Sequence, residues 1–312
     1  TNAGGPATFK YGVTRQWIRS LRVYLYNGDV LDIHRGQALA APGESFRIVL
    51  SDGAVRTVPV PTYRLPDLKK ISAGYHASDP LDLLDLFVGS EGTLGMITRV
   101  TVDTVPLPPA VFAGLAFAAD DLQAVELAGE LRRAALSGRS GEANQPDVRA
   151  IEWVDSRCLD LLKEHGDLRN LKLQLPPDAG SAVLFEMELG GGETTGDFLD
   201  LLERFNSRSP DLPDRPELQL FRILDRFGTL DSLLPALPGD RAGREQLRKF
   251  REAVPVRVNE LLAAGRAEGA GARKVGGDLI VPFDRLPRFI RAMAEEFCAR
   301  SLPYAVLSLI HI

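Results

Sequence analysis

Cysteine is nearly missing from this chain of 312 residues; only Cys158 and Cys298 occur, far apart. That excludes a disulfide framework and a thiolate metal site, and it suits a reducing compartment such as the cytoplasm. Histidine is also scarce. His34, His76, His165 and His311 form no H-x-x-x-H or similar ligand spacing. Positive charge is in deficit, with 37 Lys and Arg against 42 Asp and Glu and a formal charge of -5. No stripe of basic and aromatic residues stands out, so nothing supports a nucleic-acid surface. No apolar run approaches the roughly 18 residues of a membrane-spanning helix. Neither the G-x-x-x-x-G-K-[ST] phosphate loop nor the strand–GxGxxG–helix fingerprint is present. An initiator methionine is absent too. The chain opens in TNAGGPATFKYG and stops in the strand-like YAVLSLIHI. We expect both ends to be cut inside structured regions of a longer polypeptide.

The composition, 45% hydrophobic and 25% charged, is that of a globular protein long enough for two domains. Residues 20–33 read as a hairpin, with alternating apolar residues on either side of Asn27-Gly28-Asp29. Residues 45–60 repeat the signal around Ser51-Asp52-Gly53. The proline-bearing stretch 61–70 reads as irregular, 81–87 as helical, and 96–105 as a strand stopped by Pro106, Pro108 and Pro109. Beyond them the pattern predicts strands at 111–118, 150–154, 182–189, 278–282 and 305–312. Helices are expected at 120–135, 156–164, 194–207 and 284–300. A long charged helix at 243–264 is expected to face solvent, kinked or restarted at Pro255. The reading is α+β throughout, with a hinge at 106–109. It divides the chain into domains 1–108 and 109–312, the second built on an antiparallel sheet covered on one side.

The segment VGSEGTLGMIT, residues 88–98, crowds Gly89, Gly92 and Gly95 between apolar runs. Glycine tolerates positive φ and lets a ligand approach the main chain, and successive bare N–H groups form a nest for anionic oxygens. A tight connection between helix and strand is the other reading. Two further clusters of small residues, at Asn2-Ala3-Gly4-Gly5 and Ser72-Ala73-Gly74-Tyr75, favour a surface built for backbone approach.

NAGGPATFKYGVTR, KKISAGY and DLLDLFVGSEGTLGMIT, in that order, resemble the FAD-binding domain of the vanillyl-alcohol oxidase and p-cresol methylhydroxylase superfamily. With the second half of the chain, the pattern is similar to its D-lactate and glycolate dehydrogenase branch. The resemblance implies an α+β fold: the second half of a PCMH-type FAD-binding domain, followed by an α+β substrate (cap) domain with an antiparallel sheet. The family's first half-domain, with its pyrophosphate loop, would precede Asn2, and 35–64 has the look of an insertion. The FAD-lining residues implied are Asn2, Ala3, Gly4, Gly5, Tyr11, Gly12, Gly74, Tyr75, Gly89, Ser90, Glu91, Gly92, Thr93, Gly95 and Ile97, the last through its backbone.

The same resemblance matches Arg251, in FREAVPVRVNE, to an arginine facing the substrate carboxylate, which a guanidinium fork suits. Arg248 and Arg257 flank it at helical distance. Lys274, in RKVGGDLIVP, resembles a family lysine but stands four rather than two residues before Asp278. His311, in SLIHI, fits the first histidine of a G-H-x-G-D-G-N-x-H motif. It is thereby implied as the catalytic base and, in metal-dependent relatives, as one ligand of a divalent zinc or manganese ion. The implied reaction is oxidation of a D-2-hydroxy acid to the 2-keto acid by hydride transfer to flavin, with electrons passed on to a quinone, cytochrome or iron–sulfur partner. A noncatalytic flavin-fold subunit and an alkyl-glycerone-phosphate synthase-like enzyme stay open as alternatives. So do a homodimer and peripheral association with the inner face of a membrane.

Overall fold

The computed structural model describes residues 2–50, 52–68, 70–71, 74–191, 194–267, 269 and 279–309. The chain divides into two compact units, Thr1–Leu107 and Pro108–Ile312.

The first unit begins with a single helical turn, α1 (Thr8–Tyr11). The expected hairpin follows as β1 (Ile18–Tyr24) and β2 (Val30–His34), paired antiparallel with Leu21 opposite Ile33 and Val23 opposite Leu31. These four alternate residues are buried, as the period of two demands. Then come β3 (Leu39–Ala40), the second hairpin β4 (Ser45–Val49) with β5 (Val55–Pro59), β6 (Leu81–Asp82), α2 (Leu83–Phe87) and β7 (Met96–Val102). β7 lies antiparallel on the other side of β1, giving the order β2-β1-β7. The helix expected from residue 81 starts at Leu83, because Leu81 and Asp82 pair with Ala40 and Leu39. Asp82 then caps α2 by accepting from the Leu84 N–H at 3.0 Å. Leu83, Leu84, Leu86 and Phe87 close the core over Leu21, Val23, Leu31 and Ile33.

The second unit contains β8 (Ala110–Ala118), α3 (Asp121–Arg139), β9 (Val148–Val154), α4 (Ser156–Glu164), α5 (Asp167–Asn170), β10 (Ser181–Leu189) and α6 (Thr195–Asn206). It continues with α7 (Pro216–Arg226), β11 (Leu234–Ala236), α8 (Arg241–Ala267), α9 (Leu286–Ala299) and β12 (Leu307–Leu309). Its five strands form one antiparallel sheet in the order β11-β8-β10-β9-β12.

Three expectations are corrected. The sheet is covered on both faces rather than one, since β8 and β10 are buried almost without alternation. On one face α4 and α8 bury Leu159, Leu162, Leu247 and Phe250 against Leu115, Phe117, Val154 and Leu184. On the other, Phe112 stacks near Phe198 (centroids 4.4 Å apart), and Phe198 meets Phe221 of α7 edge-on at 5.2 Å. Consequently α8 is not merely a solvent-faced helix: Leu247, Phe250 and Val254 form its buried stripe. Finally, residues 279–282 are not a strand but lead into a 3-10 turn at Phe283–Arg285; Asp278 lies outside the described residues.

Candidate functional site

In the first unit, the glycine turns at the two ends of the unit's sequence lie together. A Cβ built on Gly89 would sit 3.5 Å from Cβ of Asn2 and 3.6 Å from Nη2 of Arg15. Arg15 stitches them. Its backbone N–H donates to Oδ1 of Asn2 at 2.9 Å, and its Nη2 donates to the carbonyl of Val88 at 2.7 Å. Its Nη1 donates to the carbonyl of Asp85, and the Asp85 carboxylate in turn accepts from Nη1 of Arg35 at 2.7 Å. Arg35 closes the network by donating to the carbonyl of Arg15 at 2.7 Å. Thr14 donates its N–H and its hydroxyl to the carbonyl of Ala3. The first turn is thus anchored through its side chain and carbonyl oxygens, which leaves its N–H groups unspent.

The second turn is a tight reversal. The Ser90 carbonyl accepts from the Thr93 N–H at 2.9 Å, with Glu91 (φ 52°) and Gly92 (φ 82°) both left-handed, the pattern of a type I′ turn. Tyr26 donates to the Gly92 carbonyl at 2.9 Å, and the Tyr75 hydroxyl bonds Oγ1 of Thr93 at 2.7 Å. Among the described residues, the amide N–H groups of Gly4, Gly5, Gly89, Glu91 and Gly92 find no acceptor. Space lies open over Gly5, Gly74 and Gly92, where an added Cβ would meet nothing within 4 Å. Gly95 serves a different end. Its φ is 149° and a Cβ there would stand 2.7 Å from the Tyr24 carbonyl, so its bareness is claimed by β1. The Gly12 position is likewise occupied, by the Gln16 side chain. Tyr11 accepts the Trp17 indole N–H on its carbonyl at 2.8 Å. Ile97 pairs with Val23 and its side chain packs on the core, leaving only its backbone, on the edge strand, for any ligand. Ser90 is buried in the turn.

Two residues that the sequence does not single out stand near these groups, Lys70 beside Gly4 and His76 by the Arg15–Asp85–Arg35 network. Nζ of Lys70 lies 3.3 Å from where a Cβ of Gly4 would be, a cation beside the bare amides. His76 is half-buried; burial, then the Arg15 charge, hold its pKa below the usual value.

In the second unit, the α4/α8 face of the sheet changes character along β10, from Ala182 and Leu184 to Glu186 and Glu188. Glu152 of β9 stands opposite Leu184 on this face. Arg149 is held by Glu186 at 2.6 Å and lies 3.8 Å from Glu188. Arg251 reaches Glu152, with Nε within 2.7 Å of both carboxylate oxygens, though only Oε2 lies in line to accept. Glu152 is 1% exposed, and burial raises its pKa against the opposing pull of Arg251. The flanking arginines are engaged elsewhere. Arg248 pairs with Glu245 and Glu252 on its own helix, and Arg257 forks onto Asp167 at 2.8 and 2.7 Å. Of the three, Arg251 alone turns to the sheet. Lys274 and His311 lie outside the described residues. Among those described, no three His, Cys, Asp or Glu side chains lie together as a metal site, and no helix is long and apolar enough to cross a membrane.

No family model matches the chain. It is 32% identical over 113 residues to a D-lactate dehydrogenase of Anaerostipes hadrus, 36% of this chain and 16% of that protein. To the mitochondrial D-2-hydroxyglutarate dehydrogenase of Rattus norvegicus it is 29% identical over 173 residues, 54% of this chain and 23% of that one. A glycolate oxidase subunit of Bacillus subtilis matches at 28% over 187 residues, 60% and 29% of the respective chains. The chain thus spans well under a third of the length of these relatives. A solved alkyldihydroxyacetonephosphate synthase structure superposes on all of this chain and 46% of its own, at 14% identity and a TM-score of 0.49, too loosely to carry an argument. By sequence, the chain is a distant homologue of D-2-hydroxy-acid dehydrogenases and of a glycolate oxidase subunit.

Proposed function

We propose that the chain is part of an FAD-dependent oxidoreductase that converts a D-2-hydroxy acid to the 2-keto acid and passes the electrons to a non-nicotinamide acceptor. The observation that carries this reading is the pair of glycine turns joined by Arg15, with bare amides and open space above them. The residues present fit a dinucleotide: a row of N–H donors with a lysine beside it matches phosphate or pyrimidine oxygens, and the space over Gly5, Gly74 and Gly92 is open among the described residues. Bound FAD would supply the acceptor for the hydride leaving the hydroxyl-bearing carbon. Asn2, Ala3, Gly4, Gly5, Gly89, Glu91 and Gly92 would hold it by backbone contact. Gly74 and Tyr75 would border it, and Arg15 would keep the two turns in register.

Arg251 is the proposed substrate group. Its Nη1 and Nη2 have no partner among the described residues, so two parallel hydrogen bonds to a carboxylate stay available. His311 remains the proposed acceptor of the hydroxyl proton. No step is assigned to zinc or manganese, because the described residues offer no ligand set. The electron acceptor, whether quinone, cytochrome or iron–sulfur group, belongs to the same proposal.

The test is a panel of D- and L-2-hydroxy acids, including D-lactate, glycolate and D-2-hydroxyglutarate, assayed on the complete protein with an artificial electron acceptor. Turnover confined to D-acids and glycolate, with anaerobic bleaching of bound flavin, is the expected result. No turnover and no bleaching with any member would overturn the reading.

A further inference from the structure

Glu152 is an odd residue for its place. It occupies the interior of β9, opposite Leu184, where the face passes from the packed Leu115, Val154 and Leu247 to the charged Glu186, Glu188 and Arg149. A buried carboxylate there costs more than a leucine would, and a buried ion pair seldom repays that cost in stability. Nor is this pair arranged for the tightest grip. A bidentate pair would engage both carboxylate oxygens with separate N–H groups, whereas here Oε1 is buried without a donor and only Nε of Arg251 is used. The other arginine on this face, Arg149, is taken up by Glu186 and Glu188. Among the described residues the Nη1 and Nη2 of Arg251 are left over, on a side chain 31% exposed. The helix runs unbroken through this point, but it lacks one backbone hydrogen bond. Pro255 has no N–H for the carbonyl four residues back, which is that of Arg251.

We infer that Glu152 is a positioning residue for substrate binding: it holds Arg251 by Nε alone, fixing the plane of the guanidinium while reserving both Nη groups for the carboxylate of the hydroxy acid. This rests on the proposal that Arg251 binds that carboxylate. An arginine anchored by a buried acid keeps its fork in one orientation, so little conformational entropy is lost when a ligand docks. A lone surface arginine would lose it at each encounter.

The test uses the complete flavin-loaded protein and steady-state kinetics with the best D-2-hydroxy acid of the panel, for Glu152→Gln, Arg251→Lys and the double variant. Glu152→Gln keeps an acceptor near Nε but removes the charge that locks it. It is expected to raise KM about tenfold with kcat changed far less. Arg251→Lys should raise KM at least as much. The double variant should be no worse than Arg251→Lys, because Glu152 acts only through Arg251. Should Glu152→Gln not accumulate as folded protein, Glu152→Asp, which retracts the carboxylate by one methylene, should move KM the same way. A raised KM in Arg251→Lys with an unchanged KM in the Glu152 variants would overturn the inference and leave the substrate role of Arg251 standing. Multiplying effects in the double variant would also overturn it, by giving Glu152 a contribution of its own. An unchanged KM in Arg251→Lys would bring down the reading beneath it.

Discussion

Asp155 ends β9 and opens α4, and both of its oxygens are committed. Oδ1 accepts from the Cys158 N–H at 2.8 Å, capping the helix, and Oδ2 accepts from the Val306 N–H at 3.0 Å, just before β12. Burial is the larger influence, and it lifts the carboxyl from 3.8 to about 6 despite those two bonds. A carboxyl raised on folding stabilises most below its unfolded pKa, and that contribution is lost as pH rises through the folded value. Relative to Asp155→Asn, the wild-type protein should therefore lose stability between pH 4 and pH 6, by at most ~3 kcal/mol from a shift of this size. Denaturant unfolding of both proteins at several pH values measures it; a constant difference across that window would contradict the assignment. His76 works in the opposite sense. Its depressed pKa means that protonation disfavours the folded state, so its contribution is present above about pH 6.5 and lost on acidification.

Among the elements, α8 carries the largest consequence for the site, because it packs on the sheet and presents Arg251 from the same turns. Phe250, adjacent to Arg251, is fully buried among Leu115, Leu159 and Leu247. Phe250→Ala should cost about 3–5 kcal/mol of unfolding free energy, and calorimetry that found less than about 1 kcal/mol would place the residue outside a packed core. The burial of this helix was only half legible in sequence. Its length and Pro255 were plain, but its charge suggested a solvent face, and Leu247, Phe250 and Val254 make a stripe too narrow to stand out among arginines and glutamates. Strong local signals translated well. The Asn27-Gly28-Asp29 turn set the first hairpin, and the α4 bounds follow from the Asp155 cap and the apolar spacing of Cys158, Leu159 and Leu162. Helix α7 went unread although Pro216 at its first position and Leu218, Phe221 and Leu224 mark it. What sequence could not give were pairings across distance. Arg15 meets Asp85 and Val88 some seventy positions on, and Glu152 meets Arg251 ninety-nine positions on; neither spacing has a local period.

At the scale of the whole chain, the formal charge of -5 supplies no long-range attraction for an anion. Under the proposed function, capture would rest on local cations and oriented amides, and the two units each offer a set. In the first, Lys70 and Arg15 stand with the bare N–H groups of the glycine turns. In the second, Arg251 has Nη donors to spare among the described residues. The first set carries the redox assignment, and it depends on a turn whose second central residue has φ 82°, a conformation that strains any β-branched side chain. The most direct measurement is FAD titration of the complete protein and of its Gly92→Val variant, followed by the visible flavin bands, with thermal unfolding as a check on folding. The account predicts stoichiometric flavin in the wild type and affinity lowered at least tenfold in a variant that still folds. Flavin bands absent from the wild type after reconstitution, or equal affinity in the two proteins, would contradict it.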